Sequence, residues 1–347
     1  MHELTDNKFR MPGEWEEHSR TILEWPVRES MIWPENYEKI KNAYSQVIKA
    51  ILEFEGVSLI VNGDDLGSAK AYLKDDVDYL VIEHDDAWAR DNIPTFGYDK
   101  EGKLAALNWR FNAWGEKYKP YDLDDLVGEK LLKAMNVKEI NPPLVLEGGS
   151  IHSDGEGTIL TTKQCLLNKN RNPQMSQDEI EKILYDYLGA KKIIWLEEGL
   201  DGDETDGHID NIACFAGPGV VIVQTCDDSE DPNHEITRKA LDVLNDSVDA
   251  KGRKIKVIQI PQPPMRIYKG KRLTLSYLNF YFVNGGIILP VFGGDATDSD
   301  HKAIEMLSDV FPHRKIVAVD GLELVKEGGN VHCITQQVPC GMEGGCQ

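Results

Sequence analysis

The sequence predicts an α/β fold, and three observations in its 347 residues point to a similar unit repeated along the chain. Apolar stretches of strand length alternate with amphipathic helical stretches almost from end to end, with no linker or low-complexity tract between them. Polar landmarks recur at near-regular intervals: Asp91 stands 56 residues before Glu147, Glu147 61 before His208, and His208 125 before Cys333. Finally, the run Glu147-Gly-Gly-Ser-Ile-His-Ser153 returns 180 positions later as Glu327-Gly-Gly-Asn-Val-His-Cys333. A unit of roughly 60–65 residues with strands and one helix fits the chain about five times and would aim equivalent residues at one centre. A doubly wound sheet would give a similar alternation, and spacing does not choose between the two. The whole chain, 1–347, reads as a single domain with a glycine-rich, frayed tail at 340–347.

The elements follow from the pattern. Trp25-Pro-Val-Arg28 and Trp33-Pro34 are aromatic and punctuated by proline, as in a loop over a surface or site. Between Glu35 and Phe54, Ile40, Ala43, Tyr44, Val47, Ile48 and Ile51 keep the spacing of one buried helical face. Strand 58–61, a turn at Asn62-Gly-Asp-Asp, a short helix at 66–73 and strand 79–83 begin a β-α-β order. Strand 104–111, helix 123–135 and strand 144–146 lead to the first Glu-Gly-Gly; strand 157–162, helix 176–188 and strand 192–196 follow, with Ser176 as N-cap and Glu179 closing a capping box. Strands 209–216 and 220–225 form a pair across Gly217-Pro-Gly219, before helix 233–244 and strand 256–260. A last pair, 273–283 and 287–290 across Asn284-Gly-Gly286, precedes helix 299–307 and strand 315–319.

Composition narrows the partners. A net charge of −21 repels nucleic acid and anionic membranes and favours a cationic small molecule, although solubility alone would also account for it. The six cysteines show no CxxC pair and no regular spacing, so neither a zinc module nor a disulfide framework is indicated and a reducing compartment is the simpler expectation. The first eighteen residues lack the basic-then-apolar order of a signal peptide and no apolar run nears the ~20 residues that span a bilayer, so the expected location is the cytosol.

Four segments carry polar residues that a core would not ask for: Asp85-Asp-Ala-Trp-Ala-Arg-Asp91, Glu147-Gly-Gly149, Asp203-Glu-Thr-Asp-Gly-His208-Ile-Asp210, and the Cys333 loop. Each has a plain structural reading. A free Cys is most often a small core residue, Asp91 after Arg90 suits a local ion pair, Glu147 a satisfied turn, and a lone His a structural one. Residues 201–210 also mimic a calcium loop, but the glycine falls at the seventh place and no Glu closes the loop at the twelfth. His208 and Asp210 stand two apart entering a predicted strand, hence on one face. Together, one Cys, one His and three carboxylates suit attack on a planar cation rich in N–H donors, because carboxylates take a guanidinium in paired hydrogen bonds. That substrate is an arginine-like guanidine.

The runs DDAWARD, LEGGSIHSDGEGTILTTKQCLLNKNRNP, DETDGHIDNIACF, SYLNFYFVNGG and EGGNVHCITQQ resemble those of agmatine deiminases, in the guanidine-modifying superfamily with the five-bladed pentein α/β propeller. The resemblance extends from about Trp15 to Pro339, with two departures: Asn92-Ile93 before Pro94, where a Gly is expected, and Glu327, where a third Gly is usual. It implies Cys333 as nucleophile, His208 as general acid and base, Asp91 and Asp210 as carboxylates that clamp the guanidinium, and Glu147 as a carboxylate on the guanidinium or on His208. Glu204 and Trp88 are then expected at the distal ammonium and the methylene chain. No metal or organic cofactor takes part in the reaction so implied. Similar enzymes are often homodimers or larger, and no sequence feature here marks an interface.

The expected reaction is hydrolysis of agmatine to N-carbamoylputrescine and ammonia through a thiouronium on Cys333, on a route to putrescine. A deiminase of free or peptidyl arginine is the alternative, and free arginine would need a cation such as Arg28 or Arg266 for its α-carboxylate. A Cys-His amide hydrolase needs an oxyanion hole rather than a ring of acids. A polyamine-binding protein is the non-catalytic alternative.

Overall fold

In the computed structural model, residues 9–28, 30 and 35–341 are described; Trp33-Pro34 and most of the predicted tail lie outside them. Strand β1 (His18–Glu24), helix α1 (Tyr37–Ile51), β2 (Val57–Val61), α2 (Leu66–Leu73) and β3 (Asp78–Val81) make a parallel run. Four ββαβ units follow: β4 (Thr95–Tyr98), β5 (Leu104–Leu107), α3 (Asp124–Met135), β6 (Lys138–Ile140); β7 (Ile151–Ser153), β8 (Thr158–Thr162), α4 (Gln177–Leu188), β9 (Lys192–Leu196); β10 (Ala213–Gly217), β11 (Val220–Thr225), α5 (Pro232–Asp246), β12 (Lys256–Pro261); and β13 (Tyr281–Val283), β14 (Gly286–Val291), α6 (Thr297–Val310), β15 (Lys315–Asp320). In each unit the first two strands are antiparallel and the third is parallel to the second.

The last strand, β16 (Gln336–Pro339), returns to lie antiparallel on β1, with Thr21 opposite Gln337 and Ile22 opposite Gln336. Thus β16, β1, α1 and β2 repeat the ββαβ order from the two ends of the described chain. The described strands form five sheets of three or four strands and one two-stranded ribbon, Ile267–Tyr268 with Lys271–Arg272.

The physical causes are visible in the sequence. In α1 the predicted face is buried, from Ile40 through Ala43, Tyr44, Val47 and Ile48 to Ile51. Helix α4 starts at the Ser176–Glu179 capping box and stops at Gly189, whose φ of 66° is left-handed. The central strands β11 and β14 carry continuous apolar runs, as strands covered on both faces must. No described helix is long and apolar enough to cross a membrane.

Several sequence expectations are corrected. Leu144–Leu146 is no strand: Val145 makes a single bridge to Arg110, and the parallel strand is β6, six residues earlier, which its charged residues Lys138 and Glu139 conceal. The strand expected from Ile209 begins at Ala213, because Ile209–Asn211 forms a 3-10 turn. Of the apolar stretch 273–283 only Tyr281–Val283 pairs as a strand, β13; the residues before it turn at 277–278 and pack as an irregular apolar segment around Leu275, Tyr277, Leu278 and Phe280. Cys340 is disulfide-bonded, which the spacing of the cysteines did not suggest.

Candidate active site

Two glycines set the depth of the site. A Cβ on Gly149 would stand 2.6 Å from His208 Nδ1, 2.9 Å from Asp210 Oδ2 and 3.0 Å from Asp91 Oδ1, and one on Gly329 would stand 2.3 Å from the Trp88 ring and 3.0 Å from Cys333 Cβ. The repeated Glu-Gly-Gly is therefore a device for close approach, used once beside the imidazole and once beside the thiol.

The structure brings Asp91, Glu147, His208, Asp210 and Cys333 together, all buried. Asp91 sits in the short turn Ala89–Asn92; Gly149 N donates to its Oδ1 at 3.0 Å and Trp114 Nε1 to its Oδ2 at 2.8 Å. Burial pushes its carboxyl up, against the pull of His208. Glu147 Oε1 accepts from Arg171 Nε at 2.7 Å in a pair with no exposed surface; despite burial, Arg171 and His208 hold this carboxyl below its usual range. The imidazole of His208 has Nδ1 3.9 Å from Asp91 Oδ2 and Nε2 3.7 Å from Glu147 Oε2, both too long for hydrogen bonds. Burial lowers its pKa, but Asp91, Cys165 and Glu147 outweigh burial and raise it well above the ordinary histidine value.

Cys333 Sγ lies 3.7 Å from Asp210 Oδ2 and accepts from Asn279 Nδ2 at 3.2 Å. Burial first, then Asp210 and Asp91, push the thiol well above its usual range. Three buried polar atoms around this point have no hydrogen-bond partner among the described residues: both ring nitrogens of His208 and Oδ1 of Asp210. Such orphans are costly unless a ligand satisfies them.

A narrow cleft reaches Asp91 and Cys333, with Trp88, Trp114 and Tyr118 among its lining residues together with Glu204 and Glu327. Trp88 and Trp114 meet edge to face at 6.5 Å. Glu204 accepts from Tyr118 OH at 2.6 Å and from Lys271 Nζ at 2.7 Å. The two arginines considered for an α-carboxylate lie elsewhere: Arg28 stacks over Tyr37 at 5.0 Å, and Arg266 is tied to Phe292 O and Asp295. In the segment that mimics a calcium loop, Asp206 pairs with Arg171 and Lys117, and Asp203 accepts from Thr205 and His208, so its carboxylates are already engaged.

Sequence reasoning missed Asn279, Arg171, Trp114, Tyr118 and Glu14. Asn279 stands inside a quoted run, SYLNFYFVNGG, where its apolar neighbours were the only signal read. Two tight groups, Glu147–Cys165–His208 and Glu14–His152–His332, bring ligand-type atoms within 4.8 Å of one another. Each already contains a carboxylate bound to a buried arginine, Arg171 or Arg90, whose charge opposes a second cation.

A buried thiol and imidazole among carboxylates, under an aromatic cleft, are found here on a mixed α/β fold of repeated units. Residues 10–339 match the family model described as Porphyromonas-type peptidyl-arginine deiminase. The agmatine deiminase of Pseudomonas aeruginosa (strain LESB58) is 44% identical over 355 residues, 95% of each chain. The solved structure of the agmatine deiminase of Enterococcus faecalis superposes with a TM-score of 0.91 at 36% identity, covering 96% of each chain. A Cys-to-Ser variant of the C. jejuni agmatine deiminase with substrate bound superposes with a TM-score of 0.88 at 32% identity over 98% of each. The chain belongs to the Porphyromonas-type peptidyl-arginine deiminase family. Within that family, these named relatives are agmatine deiminases.

Proposed function

We propose that this protein hydrolyses agmatine to N-carbamoylputrescine and ammonia, supplying putrescine synthesis, with its five sheets arranged as the blades of one propeller domain around the site. The observation that carries the reading is the convergence of the Cys333 thiol, the partnerless His208 ring and the free Oδ1 of Asp210 at the cleft that reaches Asp91. A guanidinium placed there donates to Asp91 and Asp210 and presents its central carbon to Sγ. The relatives named agmatine deiminases, one of them solved with substrate bound, support the choice of guanidine.

When the cationic guanidinium offsets Asp91 and Asp210, the Cys333 thiol releases its proton to solvent water and the thiolate attacks the guanidinium carbon, forming a tetrahedral adduct. His208, protonated in the resting site, transfers its proton to the departing nitrogen, and ammonia leaves a cysteine-bound thiouronium. Water then attacks the same carbon while His208 takes a proton from it; collapse breaks the C–S bond, releasing the ureido product and the thiol. Trp88 and Trp114 flank the methylene chain, and Glu204, already facing Lys271 and Tyr118, receives the distal ammonium. Mass spectrometry of enzyme quenched in acid during turnover tests this: the expected adduct is an agmatine-derived thiouronium on the peptide that carries Cys333, and an adduct elsewhere, or none with ammonia still released, overturns the mechanism.

A further inference from the structure

Next to Cys333 in the chain, and not among the residues that line the cleft, His332 bridges two carboxylates. Its Nδ1 lies 2.9 Å from Asp210 Oδ2, and its Nε2 lies 2.9 Å and 3.1 Å from the two oxygens of Glu14. All three groups are buried. A neutral imidazole carries one N–H, yet both ring nitrogens here face acceptors, so the chain of three must hold one more proton than two carboxylates and a neutral ring would. The surroundings say where it resides. Glu14 also faces Arg90 Nη1 at 3.2 Å and His152 Nε2 at 3.6 Å. His152 Nδ1 accepts from Phe215 N at 3.3 Å, which leaves the His152 proton on Nε2, toward Glu14. The Arg90 guanidinium within hydrogen-bond distance, and the His152 N–H turned toward the same carboxylate, make Glu14 the anion and His332 the cation.

We propose that Glu14 and His332 are positioning residues, a buried carboxylate–imidazolium pair that fixes Asp210 and shields the Cys333 thiol from its negative charge. The shielding is local, because the His332 ring and the Cys333 sulfur meet the same atom, Asp210 Oδ2, at 2.9 Å and 3.7 Å. The other charged or titratable groups near this point are Asp91, His208, Arg90, His152 and Cys214. Burial and Arg90 oppose the His332 charge, and Glu14 and Asp210 overcome them, raising its pKa. The inference rests on the reading of Cys333 as nucleophile, but its two measurements need no turnover.

The test uses the full chain and the variant Glu14→Gln, in which the amide can donate to His332 Nε2 and still accept from Arg90, leaving the ring oriented but neutral. In nitrogen-15 spectra of histidine-labelled wild type at about pH 8, with the signals assigned by their loss in His332→Gln, both ring nitrogens of His332 should be protonated. In Glu14→Gln one of them should lose its proton. The resting thiol, alkylated by iodoacetamide across pH, should react in the variant with a midpoint about one pH unit higher, or about ten-fold more slowly below it. A purely structural role would lower the rate at every pH without moving the midpoint, and that result overturns the shielding. A neutral His332 in the wild type overturns the proposal outright, whether or not the variant folds; failure to release ammonia from agmatine would instead overturn the function and leave this pair standing.

Discussion

Asn279 holds the reactive loop by both ends of its amide: Nδ2 donates to Cys333 Sγ at 3.2 Å, and Oδ1 accepts from His332 N at 3.0 Å. The side chain thus fixes the sulfur and the backbone that presents it. Asn279→Ala removes both contacts, and kcat with agmatine should fall about 100-fold, with KM changed far less, by analogy with the loss of one oriented donor. Steady-state kinetics decide it; a variant with wild-type kcat would exclude Asn279 from the positioning of Cys333.

Gly149→Ala should be inactive and less stable. Its Cβ would meet His208 Nδ1 at 2.6 Å and two carboxylate oxygens at 3.0 Å or less, and relieving that overlap costs about 1–3 kcal/mol. Gly217→Ala, with no atom near its would-be Cβ, is the control and should leave melting temperature and turnover unchanged.

The resting thiol of Cys333 is held protonated by burial and by Asp210 and Asp91. Below its raised pKa the thiol predominates, so alkylation by neutral iodoacetamide should be slow near neutrality and climb as pH rises into the alkaline range. A cationic haloacetamidine, which brings a positive charge to the two carboxylates, should label Cys333 much faster at neutral pH. Equal rates and equal pH profiles for the two reagents would contradict the acid-lined account.

Arg171→Met leaves Glu147 buried without its cation, at a cost of about 3–5 kcal/mol. The pH dependence has a definite sign. With Arg171 present the carboxyl is depressed, so its contribution to stability is present above the unfolded value and lost as pH falls through the folded one. Without Arg171, burial favours the neutral acid, so the deficit in melting temperature should be larger at about pH 8 than at about pH 5. A deficit independent of pH would mean that the variant fails through packing alone.

Much of the fold was legible because periodicity and capping are local. The buried face of α1, the Ser176–Glu179 box of α4 and the apolar runs of β11 and β14 need only neighbours in sequence. Strand β6 was not, since Lys138 and Glu139 carry no apolar signal, and neither was the turn after His208, where Ile209 and Ile212 mimic a strand while Asp210 turns toward Cys333. That five polar residues from four segments would meet was readable from residue types and the repeated Glu-Gly-Gly. Their supports were not: Arg171 reaches Glu147 from 24 positions away and Glu14 reaches His332 from 318, pairings made by tertiary packing. The repeat carried more than the sequence revealed, because its two histidines, His152 and His332, stack with ring centres 6.4 Å apart against the same Glu14.

The most direct test of the account is ammonia release from agmatine, free arginine and a blocked arginine peptide side by side, with Cys333→Ser as the blank. Turnover of agmatine should stand well above that of either arginine substrate, with none from the blank, since Arg28 and Arg266 lie away from the cleft and Glu204 lines it. Preference for an arginine substrate, or ammonia from agmatine at the wild-type rate in Cys333→Ser, would contradict it.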